Sequence, residues 1–182
     1  MKVSFKEIFP VIFITVVVLV SVGLLAFTDD VTRDMRESQR EQKILDMLNE
    51  MYPEMTSYTF EDDIYIVFAD EAVVGYAYLA EGKGYGGYID ILVGLEDETT
   101  LRGISIIRHS ETPGLGARIT EDEYRNQFIG LDIDDVELEY DGGQIDAITG
   151  ATISSKAVAD AVRTTAIEKI KEIFEGAGNQ DG

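Results

Sequence analysis

Residues 9–27, FPVIFITVVVLVSVGLLAF, carry no charged side chain. As a helix they would span about 28 Å, close to the hydrocarbon thickness of a bilayer. Helices buried in soluble cores are seldom apolar on every face, so the run predicts an uncleaved single-span anchor behind a short segment, residues 1–8. A cleaved signal peptide is the competing reading. Its apolar region is usually shorter, and LLAFTDD is a poor cleavage site. Lys2 and Lys6 precede the run, while Arg33, Arg36 and Arg40 follow it. The positive-inside count therefore selects neither side, and charge gives only a mild preference for an outside domain.

Residues 28–56 read as a helical stalk. Val31, Met35, Ile44, Leu45, Leu48 and Met51 are its apolar positions, the part between them is rich in Arg, Glu and Gln, and Pro53 ends it. This segment is expected to be a spacer. From Tyr58 the period changes to short β-branched and aromatic runs: YTF, IYIVFA, AVVGYAYLA, YIDILVGL and LRGISIIRH. They predict an antiparallel meander of four or five strands. A short helix is expected over Glu121–Phe128 with Tyr124 and Phe128 inward, and VELEY, Val136–Tyr140, alternates like a further strand before the turn DGGQID. The last helix, about Ser154–Phe174, has Val158, Ala161, Val162, Thr165, Ile167, Ile170, Ile173 and Phe174 as its apolar positions. The fold class is thus α+β: a single N-terminal transmembrane helix, then a domain over 57–175 with an antiparallel sheet and a long C-terminal helix, then a loose tail, 176–182.

The formal net charge is -20, which repels phosphate backbones and argues against nucleic-acid binding. Without cysteine there are no disulfides, thiolate zinc sites, iron–sulfur ligands or cysteine nucleophiles. His109 is the one histidine, so no metal site is expected.

Chemistry concentrates in DAITGATISSKAV, Asp146–Val158, at the mouth of the last helix. The first N–H groups of a helix lack internal partners and lie at the positive end of its dipole, so phosphate binds there readily. Gly150 permits close backbone approach, Ala151 keeps its side chain small, Thr152 presents a hydroxyl, and Lys156, one turn on, would add a positive charge. Spacing alone leaves an ordinary N-cap open beside phosphate binding. No lysine follows the glycine as in a nucleotide-binding P-loop, and no G-x-G-x-x-G follows a strand as an NADH site requires. Upstream, HSETPGLG, His109–Gly116, places Pro113 and Gly114 as the central pair of a type II turn, in what reads by itself as an ordinary loop.

These two motifs, in this order, resemble those of the FMN-binding domain family, with the weaker GYGGYIDILVGL, Gly84–Leu95, ahead of them. The resemblance covers residues 58–174, and the chain is similar to the branch of G subunits of Rnf-type ion-translocating electron-transport complexes, itself related to the C subunits of sodium-pumping NADH:quinone oxidoreductases. It implies FMN held covalently by a phosphoester to Thr152, made once by a separate flavin transferase that uses FAD. Thr149, Gly150, Ala151 and Lys156 would then surround the phosphate. Glu111 and Thr112 would hydrogen-bond the ring system or ribityl chain, and Gly114, Leu115 and Gly116 would form a close backbone wall. Asp146 would serve transferase recognition or turn geometry. Tyr76, Tyr78, Tyr85 and Tyr88 sit at strand spacing and read as core or cross-strand residues in preference to a flavin platform.

The resemblance further implies an electron relay with no complete active site of its own. Its partners would be the other Rnf-type membrane subunits, one of which carries its own FMN, together with membrane lipid. The N-terminus would be cytoplasmic and the FMN domain extracytoplasmic. Two alternatives stay open: a free-standing tethered FMN-binding protein of electron transfer or sensing, and an unmodified tethered interaction domain.

Overall fold

The computed structural model describes residues 5–175, with side-chain surroundings for residues 9, 13–25 and 39–174. Lys2, the side chains of Lys6, Arg33 and Arg36, and the expected tail 176–182 lie outside the described residues. Contacts divide the chain into two units, Met1–Lys43 and Ile44–Gly182. Helix α1, Phe5–Met51, begins in the first and ends in the second.

In the first unit every side chain from Phe13 to Leu25 is exposed, all the way round the helix. Among the described residues no helix is long and apolar enough to cross a membrane. The unbroken described stretch, residues 13–25, is itself shorter than a bilayer span.

The second unit is built on a five-stranded antiparallel sheet in the order β1-β2-β3-β4-β5. The strands are β1 Ser57–Glu61, β2 Ile64–Ala69, β3 Ala72–Lys83, β4 Tyr88–Leu95 and β5 Leu101–Arg108. The meander expected from the period-two runs is therefore present. Its first hairpin turns on Asp62 and Asp63, at φ 51° and 62°, the left-handed pair of a two-residue turn that aspartate tolerates.

Because side chains alternate along a strand, the sheet has two apolar faces. Tyr78, Ile89, Ile91, Val93 and Ile104 pack with Val158, Val162 and Ala166 of α3, Thr152–Ile170. Val67, Ala77, Leu92 and Ile107 pack with Ile44, Leu48 and Tyr52. The end of the expected stalk is thus core of the domain, not a spacer. Tyr52 is fully buried, and its Oη lies 2.7 Å from the Tyr76 carbonyl and 3.0 Å from that of Leu95. Gly75 and Gly94 leave it room, since a Cβ on either would collide with its ring or hydroxyl.

Two connecting elements differ from expectation. The short helix is a single α turn, α2 Asp122–Arg125, continued by a 3-10 turn, Asn126–Phe128. Tyr124 and Phe128 do point inward, packed edge to face at 5.6 Å. The expected strand Val136–Tyr140 does not join the sheet: Leu138 makes one isolated bridge with Ile145, and Glu139–Asp141 form a 3-10 turn. The alternation there comes from Val136 and Leu138 plugging the core while the loop bonds back on itself through Glu139 N–H to Ile145 O and Ile145 N–H to Glu137 O. At the C-terminus α3 starts at Thr152, two residues earlier than the expected Ser154, and runs into a π turn, Lys171–Glu175.

Burial pushes the phenols of Tyr52, Tyr78 and Tyr124 well above their ordinary value of 10.0, with the Arg102 charge opposing the effect at Tyr52. A raised folded pKa means the folded state holds the proton more tightly. Stability is then intact below about pH 10 and lost as pH rises beyond it, by up to ~1.4 kcal/mol per pH unit for each tyrosine. Urea midpoints should be flat between pH 8 and about 9.5 and fall steeply by about pH 11. Replacing Tyr52 by Phe should lower stability by ~1–3 kcal/mol at neutral pH while flattening the alkaline fall.

Candidate functional site

The turn before α3 is fixed from inside the helix. Ala151 N–H donates to the Ile148 carbonyl over 2.8 Å, closing a turn whose Gly150 stands at φ +80°, a conformation that side chains resist. The buried Ser155 hydroxyl accepts from Ile148 N–H at 3.0 Å and donates to the Ala151 carbonyl at 3.1 Å. Tyr124 Oη donates to the Ser155 carbonyl at 2.9 Å. The N-cap is Ala151, and no side chain caps the helix. Thr152, at the first helical position, is exposed. The first-turn N–H groups beside it are therefore without a side-chain partner.

Opposite stands the second motif. Leu115 N–H donates to the Thr112 carbonyl at 3.2 Å, with Gly114 at φ +75°, as the type II turn requires. Glu111, 5% exposed, lies at the base of this loop. Its Oε1 accepts from Gly86 N–H at 2.9 Å, and its Oε2 accepts from the Ser154 hydroxyl at 2.5 Å. Its own N–H donates to His109 Nδ1 at 3.2 Å. One carboxylate thus ties the β3–β4 hairpin and the HSETPGLG loop to the first turn of α3.

Between the two motifs lies a cavity of about 570 Å³, lined by Tyr85, Glu111, Thr112, Leu115, Gly116 and residues 150–154. Expected site residues Glu111, Thr112, Leu115, Gly116, Gly150, Ala151 and Thr152 meet there. Gly114 and Thr149 do not line it. Thr149 instead borders a smaller cleft of about 270 Å³ with Asp146, Gln127 and Arg118. Asp146 is exposed, and Gln127 holds its backbone: Asp146 N–H donates to Gln127 Oε1 at 2.7 Å. Lys156 also stays away from the cavity, with its ammonium 2.5 Å from Asp141 Oδ2 and 3.7 Å from Asp160 Oδ1. Those carboxylates raise its pKa, the Asp141 hydrogen bond foremost. Nothing in the motif's spacing reveals that a loop 15 residues upstream supplies this partner.

The sequence reading of Tyr85 as a core or cross-strand residue is overturned, and sequence reasoning does not single out Ile153 and Ser154. Tyr85 is 74% exposed at the cavity mouth, whereas Tyr78 is core, Tyr76 packs on Phe174 at 5.2 Å, and Tyr88 lies outside the lining. Its place in the glycine-rich EGKGYGG hairpin, not strand spacing, was the usable signal.

The volume suits a cofactor-sized ligand, Tyr85, Leu115 and Ile153 offer exposed apolar walls, and uncapped amides wait for an anion at one end. The residues fit a flavin mononucleotide, and residues 84–166 match the family model of the FMN-binding domain.

The chain is 38% identical to the G subunit of the ion-translocating oxidoreductase complex of Methanosarcina acetivorans over 175 residues, covering 87% of this chain and 93% of that one. With the corresponding protein of Pseudoalteromonas atlantica it shares 33% identity, covering 89% and 88%. A crystal structure of the C subunit of the Na(+)-translocating NADH-quinone reductase of Parabacteroides distasonis superposes with a TM-score of 0.50 at 25% identity, covering 59% of this chain and 61% of that one. The chain belongs to the family of G subunits of ion-translocating oxidoreductase complexes.

Gly116 tests the packing of the site. A Cβ there would lie 2.5 Å from Glu111 Oε2 and 2.6 Å from Ser154 Oγ. Gly116→Ala should separate these groups and cost ~1–3 kcal/mol of unfolding free energy, measured by urea titration at pH 7.

Proposed function

We propose that this chain carries FMN as a phosphoester on Thr152 and relays electrons as a membrane-anchored subunit of an Rnf-type ion-translocating complex. One observation carries the reading: an exposed threonine hydroxyl stands at an uncapped helix start, on the rim of a cavity where both motifs converge. A flavin transferase using FAD would form the bond between Thr152 Oγ and the flavin-side phosphorus. The phosphoanhydride bond to AMP breaks, AMP leaves, and the hydroxyl proton passes to solvent. The linkage retains one negative charge, which the N–H groups of the first helical turn stabilise. Lys156, held by Asp141, is not needed for this.

The bound flavin supplies the redox chemistry, and the chain orients it and excludes water. Leu115, Ile153 and Tyr85 offer it apolar surface. Partners are the other members of the complex, including one with its own FMN, and the transferase during maturation.

The anchor reading rests on the first unit. A helix with Phe13, Ile14, Val18, Leu19, Leu24 and Leu25 all more than half exposed is unfavourable in water and suited to lipid. We place its N-terminus in the cytoplasm and the FMN domain on the extracytoplasmic side.

After denaturing electrophoresis, material produced with an active transferase should give a fluorescent band with the mass of one added FMN less water, and Thr152→Ala should give none. Fluorescence in Thr152→Ala would remove the site assignment. The chain lacks cysteine, so a single Tyr140→Cys, exposed in wild type, reports topology. A membrane-impermeant maleimide should label it in intact cells; labelling only after lysis reverses the orientation.

A further inference from the structure

Glu111 is a buried carboxylate whose partners are a hydroxyl and a backbone amide, neither of them a cation. The surrounding glycines keep this place clear. A Cβ on Gly84 or Gly116 would run into the carboxylate, and one on Gly86 would collide with the Ser110 carbonyl beside it. Glu111 is also the single charged residue among those that line the cavity.

A purely mechanical tie needs no charge. A glutamine of the same shape would accept from Gly86 N–H through its oxygen. Its amide would donate to Ser154 Oγ, since that hydroxyl is free to rotate from donor to acceptor. What a carboxylate offers here and a glutamine would not is a negative charge at the wall of the cavity. We propose that Glu111 sets a fixed negative charge beside the flavin and lowers the potential at which the flavin accepts electrons.

This inference rests on the FMN reading above. The physics is Coulombic: an added electron meets the carboxylate through a partly desolvated wall, where the interaction is stronger and less screened than at the surface. The many other acids of the chain act differently. Exposed charges farther than about 10 Å are largely screened at 0.1 M salt. The Gly86 and Ser154 donors offset part of the Glu111 charge and fix where it sits.

Redox titration of the FMN-loaded full chain in detergent tests this, with Glu111→Gln and Ser154→Ala beside wild type. Glu111→Gln should raise the midpoint potential. The expected shift is about tenfold in equilibrium constant against a reference dye, about 30 mV for a two-electron couple, and little changed by salt. Ser154→Ala keeps the charge and removes a donor that offsets it, so its potential should fall, although this variant also loosens the tie. A Glu111→Gln potential at or below wild type overturns the proposal. So does a rise in Ser154→Ala, which would assign the shift to loosening and which remains decisive if Glu111→Gln fails to fold. A wild-type chain that stays colourless beside a working transferase would overturn the FMN reading itself; a loaded chain with an unmoved potential in Glu111→Gln overturns only this inference.

Discussion

The carboxylate of Glu111 is where three separately folded pieces of the domain are joined. The glycine-rich hairpin reaches it through Gly86 N–H, the HSETPGLG loop carries it, and α3 grips it through Ser154 Oγ. Of these pieces only α3 holds its shape by regular secondary structure at the point of contact. The joint adds to the core contacts through which Ile119 and Tyr124 already hold the loop and the helix start together. Short charge-assisted hydrogen bonds in a buried setting are the strong ones. Glu111 thus links three walls of the cavity above the sheet.

The sheet sets the frame on which that joint is made. Its two faces are covered by helices distant in sequence, α3 on one and the last turns of α1 on the other. Ser155 belongs to the same arrangement. By bonding Ile148 N–H and the Ala151 carbonyl, and receiving Tyr124 Oη on its own carbonyl, it fixes the motif turn relative to α2 as well as to α3. The threonine at the helix start is thus exposed on a turn that is held in place, which is what the proposed attachment of a cofactor there would require.

Much of the frame was legible in the sequence because it depends on local periodicity. The strands announced themselves by period two and the terminal helix by its apolar stripe, and Pro-Gly and Thr-Gly marked turns whose positive φ values the structure contains. What was not legible depended on distant partners. Val136–Tyr140 has a strand's alternation, yet its backbone pairs within its own loop and not with the sheet. The segment Ile44–Tyr52 reads as the end of a solvated stalk because the stretch just before it is rich in Arg, Glu and Gln, and only the sheet shows that its apolar residues are buried. Lys156 is well placed on a helical wheel for a phosphate, but Asp141, brought close by a loop, takes it. Glu111 was singled out as a flavin contact; that both its oxygens are engaged by Gly86 and Ser154 depends on chain crossings no motif encodes.

The absence of a basic side chain from the cavity lining, among the described residues, bears on how a phosphorylated ligand could be kept there. Backbone amides at a helix start contribute a fraction of a kcal/mol to about 2 kcal/mol toward an anion. Against that stand Glu111 in the wall and a chain of net charge -20. A freely exchanging FMN would be held mainly by the apolar walls of Tyr85, Leu115 and Ile153, two of them more than half exposed. Such a site releases its ligand readily into water. On the proposed reading a covalent bond at Thr152 removes this difficulty: retention no longer depends on the electrostatics of the site, and a negative charge can then stand beside the flavin without the penalty of lost cofactor.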